Sequence, residues 1–185
     1  MDWINFKKAR EEKLKEEGAD SGIIPLLKAI NAKRWFATSS SCSGRIVLLE
    51  IKEGKGDAFF YRKWHRKVTA KEVNDAIGKY EGRKELWFRC EPFILHLFAM
   101  DLESAKTFLA ACKNAGIKRG GISSLHPRVF IEVIGTHGFA LPVYDGRALV
   151  NRDYVDYVVS MANRKMELNS AQLGRLHKEM KKKGL

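Results

Sequence analysis

Cysteine is scarce in this chain and badly placed for structure. Cys42, Cys90 and Cys112 are odd in number and widely scattered. That spacing fits neither a disulfide framework nor a zinc knuckle, so free thiols are expected. No apolar run approaches the roughly 20 residues of a membrane span, and the charged start from Met1 to Glu17 lacks the apolar core of a secretory signal. No membrane partner is therefore expected, and the expected compartment is cytoplasmic. Cofactor signatures are missing too: there is no G-x-G-x-x-G after a strand pattern, no G-x-x-x-x-G-K-[ST] and no H-E-x-x-H. A conventional doubly wound nucleotide fold is excluded on that reading. The five histidines, at 65, 96, 126, 137 and 177, show no ligand spacing, so no metal is expected.

What the chain does have is positive charge. Thirty-four Lys and Arg against 22 Asp and Glu give a net charge of +12. A polyanion is the expected partner, because each phosphate neutralised by a cation releases condensed counterions, and nucleic acid leads the candidates. At 185 residues and 45% hydrophobic, the chain can bury a proper core.

Periodicity predicts a charged helix over Asp2 to Glu17, with Trp3, Phe6, Ala9 and Leu14 near one face, ended by Gly18-Ala19-Asp20-Ser21-Gly22. A second helix follows, with Pro25 in its first turn and Leu26, Leu27 and Ile30 turned inward. Strands are predicted over Trp35–Ala37, Arg45–Ile51 and Ala58–Arg62, with a hairpin at Glu53-Gly54-Lys55-Gly56-Asp57. Thr69 and Glu72 form a capping box for the next helix. Strands over Glu85–Cys90 and Phe93–Ala99 precede an amphipathic helix capped by Asp101 and ended by Gly116. Three more strands, Lys118–Ser123, Arg128–Ile134 and Phe139–Tyr144, lead to a C-terminal helix from about Asp153 with a break at Asn169-Ser170.

An offset of 83 residues lays Ser40-Ser41 over Ser123-Ser124, Arg45 over Arg128, Ile46 over Val129 and Tyr61 over Tyr144. The expected fold is therefore α+β and non-Rossmann: two related α/β halves with largely antiparallel or mixed sheet and a cleft between them. Residues 1–34 form an N-terminal helical segment, and 35–185 a single compact domain of two pseudo-repeats, about 35–84 and 85–185. Both serine loops would meet at the cleft.

The segment Thr38-Ser39-Ser40-Ser41-Cys42-Ser43-Gly44-Arg45 gathers four hydroxyls besides Thr38, a thiol, a glycine and an arginine ahead of an apolar strand. Hydroxyls and freed backbone N–H groups bind carboxylate, phosphate or ribose oxygens, and a guanidinium offers a planar fork for an anion. The alternative is a strand-end turn with Arg45 snorkelling to the surface. In Arg62-Lys63-Trp64-His65-Arg66-Lys67, four cations surround an aromatic and a histidine. They form either a solvated loop or a nucleic-acid contact in which cations hold phosphates, Trp64 stacks on a base and His65 accepts a proton. Lys118 and Arg119 are further phosphate candidates. Glu91 is held extended by Pro92, and His96 lies on a predicted strand as either a structural or a reacting group.

In order along the chain, the serine segment, Lys63-Trp64-His65, Glu91-Pro92-Phe93-Ile94-Leu95-His96 and Gly121-Ile122-Ser123-Ser124 resemble the tRNA wybutosine-synthesizing protein 3 family from about Trp35 to Arg175. The resemblance implies an S-adenosylmethionine-dependent tRNA methyltransferase. Its reaction would be N4-methylation of 7-aminocarboxypropyl-demethylwyosine at position 37 of tRNA(Phe), whose anticodon region becomes the expected partner. It makes His65, Glu91 and His96 the acid/base candidates. Ser41, Ser43, Gly44, Arg45, Ser123, Ser124 and Asn163 become the cofactor-binding candidates, and Arg62, Lys63, Trp64, Arg66, Lys67, Lys118 and Arg119 the RNA-binding set. The family pattern favours a hydroxyl near Gly120, where this chain has Gly120-Gly121, leaving backbone N–H groups rather than side chains at that loop. The alternatives are a non-catalytic RNA-binding module and a scaffold of a tRNA-modification complex.

Overall fold

A computed structural model of the chain describes residues 2–51 and 58–184. In chain order the elements are α1 (Trp3–Glu17), α2 (Ile24–Asn31), β1 (Phe36–Thr38), β2 (Arg45–Ile51), β3 (Ala58–Trp64), α3 (Ala70–Gly78), β4 (Leu86–Glu91), β5 (Ile94–Ala99), α4 (Leu102–Asn114), β6 (Arg119–Ser124), β7 (Val129–Ile134), β8 (Phe139–Tyr144) and α5 (Arg152–Lys182). The α+β, antiparallel expectation holds: two four-stranded sheets form, with strand orders β1-β5-β7-β6 and β3-β2-β4-β8, and every named pairing is antiparallel. The hairpin expected at Glu53 to Asp57 lies outside the described residues.

The chain divides into two compact units that are interleaved rather than consecutive. The first comprises residues up to Ser43, Phe93–Thr136 and the chain from Asn169 onward; the second comprises Gly44–Pro92 and His137–Leu168. A boundary near residue 84 accordingly falls inside the second unit. Nor does the offset of 83 mark equivalent elements. β2 and β3 are hydrogen-bonded neighbours, whereas their offset counterparts β7 and β8 belong to different sheets.

In the first unit, sheet 1 (β1-β5-β7-β6) alternates as a half-covered sheet should. Leu95, Leu97, Ile131 and Val133 face a core shared with Leu26, Leu27, Ile30, Phe36, Phe108, Leu176 and Met180. Burying each such Leu or Phe contributes about 1.5–3 kcal/mol. His96, Phe98, Phe130 and Glu132 occupy the opposite face. Helix α1 sits on that face: Phe6 meets Phe98 edge-on at 4.9 Å between ring centroids, and the Arg10 guanidinium lies over Phe98. Lys7 fixes α1 there by donating from Nζ to the carbonyls of Asn31, Lys33 and Phe36 at 2.6, 2.6 and 2.7 Å, satisfying acceptors at the end of α2 and in the turn into β1.

Sheet 2 (β3-β2-β4-β8) packs Ile46, Leu48, Leu86, Phe88 and Cys90 against α3 and the first part of α5. The capping box of α3 is present, with Thr69 and Glu72 bonded reciprocally. Helix α5 is continuous to Lys182, so the expected break at Asn169-Ser170 does not occur. Burial overrides the local preference: Asn169 is fully buried, and Gly135 leaves the space it needs, since a Cβ there would come within 2.9 Å of Asn169 Oδ1.

Candidate functional site

In the first unit the serine segment continues the edge of sheet 1 past β1. Ser39 N donates to His96 O at 2.8 Å, and Cys42 exchanges backbone bonds with Ile94. The register therefore brings the serines beside His96, and His96 opposite Glu132, which in turn faces Gly121. His96 Nε2 lies 2.8 Å from Glu132 Oε2, Ser40 Oγ lies 3.4 Å from His96 Nδ1, and Ser41 Oγ accepts from His96 N at 3.2 Å. A carboxylate at Nε2 keeps the proton on that nitrogen and leaves Nδ1 as the basic atom of the neutral ring. Beside this pair is a shallow recess of about 410 Å³ lined by Arg119, Gly120, Gly121, Ile122, Ser123, Glu132 and Ile134.

Several sequence candidates are committed elsewhere. Ser43 is buried, and both its amide (2.8 Å) and its hydroxyl donate to the Asp20 carboxylate. Gly44 turns the chain with φ of 104°, a conformation that favours glycine, so its role is explained by backbone alone. Ser124 Oγ donates to His126 O at 2.7 Å. Ser41 and Ser124 do not meet: they lie on opposite edges of sheet 1, three strand intervals or about 14 Å apart.

In the second unit Arg45 and Glu91 are cross-strand partners, with Nε to Oε2 at 2.6 Å, and Arg89 Nε lies 3.7 Å from Glu91 Oε1. Glu91 is thus the acceptor of an ion pair rather than a free base. Trp64 turns inward and packs on the core of the unit, which removes it as an open stacking surface. His65 is exposed after β3. Arg66 pairs with Glu72 at 2.7 Å and Lys67 with Glu167 at 2.8 Å, while Arg62, Lys63, Lys118 and Arg119 are exposed. The side-chain amide of Asn163 is spent on Val68, accepting from its N–H at 3.0 Å and donating to its carbonyl at 2.8 Å.

Two residues that matter to this geometry lie outside the sequence candidates. Glu132 interrupts the apolar run Val129-Phe130-Ile131-Glu132-Val133-Ile134, and that interruption is its signal in the sequence. Asp20 sits among turn-forming residues and carries no signal for its partner, 23 positions away.

The first unit thus holds a histidine–carboxylate pair, His96 and Glu132, with Glu132 also lining a recess of polar and apolar side chains. Comparison with known proteins gives the class its name: the model of the family described as methyltransferase TYW3 matches residues 2–182, and the chain belongs to that family. It is 37% identical over 186 residues to the tRNA(Phe) 7-((3-amino-3-carboxypropyl)-4-demethylwyosine(37)-N(4))-methyltransferase of Thermococcus sibiricus, covering 97% of this chain and 94% of that one. The protein of the same name from Archaeoglobus fulgidus is 34% identical over 187 residues, with 97% and 94% covered. The solved structure of PH1069 protein from Pyrococcus horikoshii superposes with a TM-score of 0.86 at 32% identity, covering 96% of this chain and 97% of that one. A methyltransferase needs a methyl donor, and the non-catalytic alternatives are set aside. No helix among the described residues is long and apolar enough to cross a membrane.

Proposed function

We propose that this methyltransferase uses S-adenosylmethionine to methylate N4 of 7-(3-amino-3-carboxypropyl)-4-demethylwyosine at position 37 of tRNA(Phe). The observation that supports the proposal is the His96–Glu132 pair, 2.8 Å apart, in which Glu132 also lines the recess and Nδ1 of His96 is left as proton acceptor. The recess suits the donor chemically. Its volume is within the range of small-molecule sites, Ile122 and Ile134 supply apolar walls for a nucleobase, and Arg119 supplies a cation for a carboxylate. Ser123 and Glu132 offer oxygens to ribose hydroxyls, and Gly121 has open space where a Cβ would stand, so a ligand can approach the strand backbone. Ser123 is the one residue of the expected cofactor set that lines this recess.

When bound, S-adenosylmethionine supplies an activated methyl on a sulfonium, so alignment is the main demand on the protein. His96 Nδ1 takes the proton released from the ring nitrogen as that nitrogen bonds to carbon. Glu132 holds the imidazole in the required tautomer and stabilises the imidazolium that results. Ser40, 3.4 Å from Nδ1, marks where a polar substrate atom would sit. The carboxylate of Glu91 is neutralised by Arg45 and takes no part in the proton transfer.

Single-turnover methylation of precursor tRNA tests this. His96→Gln should lower the rate about 10²–10⁴-fold, the usual worth of a positioned base, with tRNA and donor binding retained. Wild-type rates in that variant would reject the assignment.

A further inference from the structure

We infer that Arg10 of α1 grips the carboxylate of the 3-amino-3-carboxypropyl arm and so decides which modified guanosine the enzyme accepts. The inference rests on the substrate proposed above and deepens it. Nothing in the sequence singles Arg10 out, because it stands in the charged run Lys7-Lys8-Ala9-Arg10-Glu11-Glu12-Lys13, which reads as a solvated helix face. The packing of α1 changes that. Phe6 meets Phe98 of sheet 1, and helical spacing puts Arg10 on the same side one turn later. Arg10 is half-buried there, with its guanidinium carbon 5.7 Å from the centre of the Phe98 ring. Its Nη2 donates to Ser39 Oγ at 2.5 Å.

Strand register fixes where that head stands. The pairing of Ala37 with Phe98 and Thr38 with Leu97 continues with Ser39 opposite His96, whose carbonyl accepts from Ser39 N. Residues directly opposite on antiparallel strands share a face, with Cβ atoms about 5 Å apart. Thr38 and Leu97 are buried, so Ser39 and His96 take the outer side, where α1 lies. Arg10 is therefore bonded to the side chain that neighbours the imidazole. On one flank of His96 stand Glu132 and the recess assigned above to the donor. Arg10 belongs to the other flank, with Ser39 and the exposed Ser40, toward which Nδ1 points. The base that receives the methyl has to lie on that flank.

Arg10 has binding capacity left over. Nε is buried without a hydrogen-bond partner, and Nη1 is neither buried nor bonded among the described residues. Glu11 pairs with Lys7, Glu132 with His96 and Asp20 with Ser43, and among the described residues no carboxylate pairs with Arg10. Lys13 and Glu17 follow Arg10 along the same face of α1 and balance each other in charge. The missing anion is one a ligand can bring. A carboxylate matches the guanidinium fork, and an arginine meets it with a planar pair of donors that lysine lacks. The arm carries such a carboxylate on a short flexible chain from the ring system. Anchorage beside the imidazole favours this anion over a backbone phosphate, which belongs to the periphery of a bound base.

Two forms of tRNA(Phe) test the inference, one bearing the arm and one bearing 4-demethylwyosine, which has the ring without it. Affinity for the whole protein is measured by fluorescence anisotropy, with melting temperatures taken on the same samples. Wild type should prefer the arm-bearing tRNA about 10- to 150-fold, the worth of one hydrogen bond to a charged group. Arg10→Gln should lose that preference and bind the armless tRNA like wild type. Arg10→Lys should keep only part of it, because the ammonium retains the charge without the fork. It carries the same comparison should Arg10→Gln fail to fold. Equal weakening on both tRNAs would put Arg10 on a phosphate or in a structural role and overturn the inference, as would wild-type affinity for both. Failure of the proposed reaction is read separately: absence of methyl transfer from wild-type enzyme to arm-bearing tRNA rejects that reaction whatever the affinities show.

Discussion

Replacing Ser43 separates a ligand-binding serine loop from one held together by its own bonds. Ser43 is 7% exposed and donates twice to Asp20, from the amide at 2.8 Å and from Oγ. Ser43→Ala removes the hydroxyl donor to a carboxylate and leaves the amide donor in place. Hydrogen bonds to charged groups contribute about 1.5–3 kcal/mol, and burial at this site leaves little solvent to replace the lost one. For a chain of this length each kcal/mol shifts the melting temperature by about 2–4 °C, so a fall of about 3–12 °C is expected. Thermal unfolding by circular dichroism reads it. A cycle with Asp20→Asn should show the two losses to be non-additive, because both substitutions weaken one contact. Gly22→Ala approaches the same contact from outside, since its Cβ would lie 2.8 Å from Ser43 Oγ. If Ser43→Ala melts within about 1 °C of wild type while donor binding measured by calorimetry disappears, the bond to Asp20 is not what fixes this loop and Ser43 faces a ligand.

Two further outcomes are expected. Arg66, with the capping bonds at Thr69, holds the Glu72 carboxyl down to about 2 from an ordinary value of 4.5, so its contribution to stability is complete above pH 4.5 and lost as the pH falls toward 2. Melting curves of wild type and Glu72→Gln should differ most at neutral pH and converge toward pH 2; a constant gap would contradict the linkage. Burial pushes the Cys90 thiol up to about 11 and the Cys112 thiol to about 12, so a chromogenic disulfide at pH 8 should label Cys42 quickly and the other two only after unfolding, and rapid native labelling of a second thiol would refute this.

Local chemistry was readable from the sequence where it closes over a few residues. Thr69 and Glu72 are three positions apart, and their reciprocal bonds form as the spacing predicts. In β4 the alternation of Leu86, Phe88 and Cys90 with Trp87, Arg89 and Glu91 carries the buried and outer faces directly. Contacts made at long range were not readable. The hydroxyls of the serine segment looked available because Asp20 and His96, which engage them, lie far away in sequence. Trp64 looked like an exposed stacking residue amid cations, yet its strand position turns it inward opposite Ile46, a consequence of register rather than composition. Asn169-Ser170 reads as a helix stop by propensity, and the buried environment beside Gly135 outweighs that preference.

The interleaving of the two units orders events during synthesis. The first unit needs Ile23, Leu26 and Leu27 from the start of the chain and Leu173, Leu176 and Met180 from its end, all in one core. The second unit is drawn from Gly44–Pro92 and His137–Leu168, a span that leaves the ribosome earlier. The core that Ile23, Leu26 and Leu27 join is therefore completed only after every residue of the second unit has been made. Until Met180 emerges, the apolar face of α2 and the inner side of sheet 1 lack their last covering, so the nascent chain keeps apolar surface open to a chaperone until then.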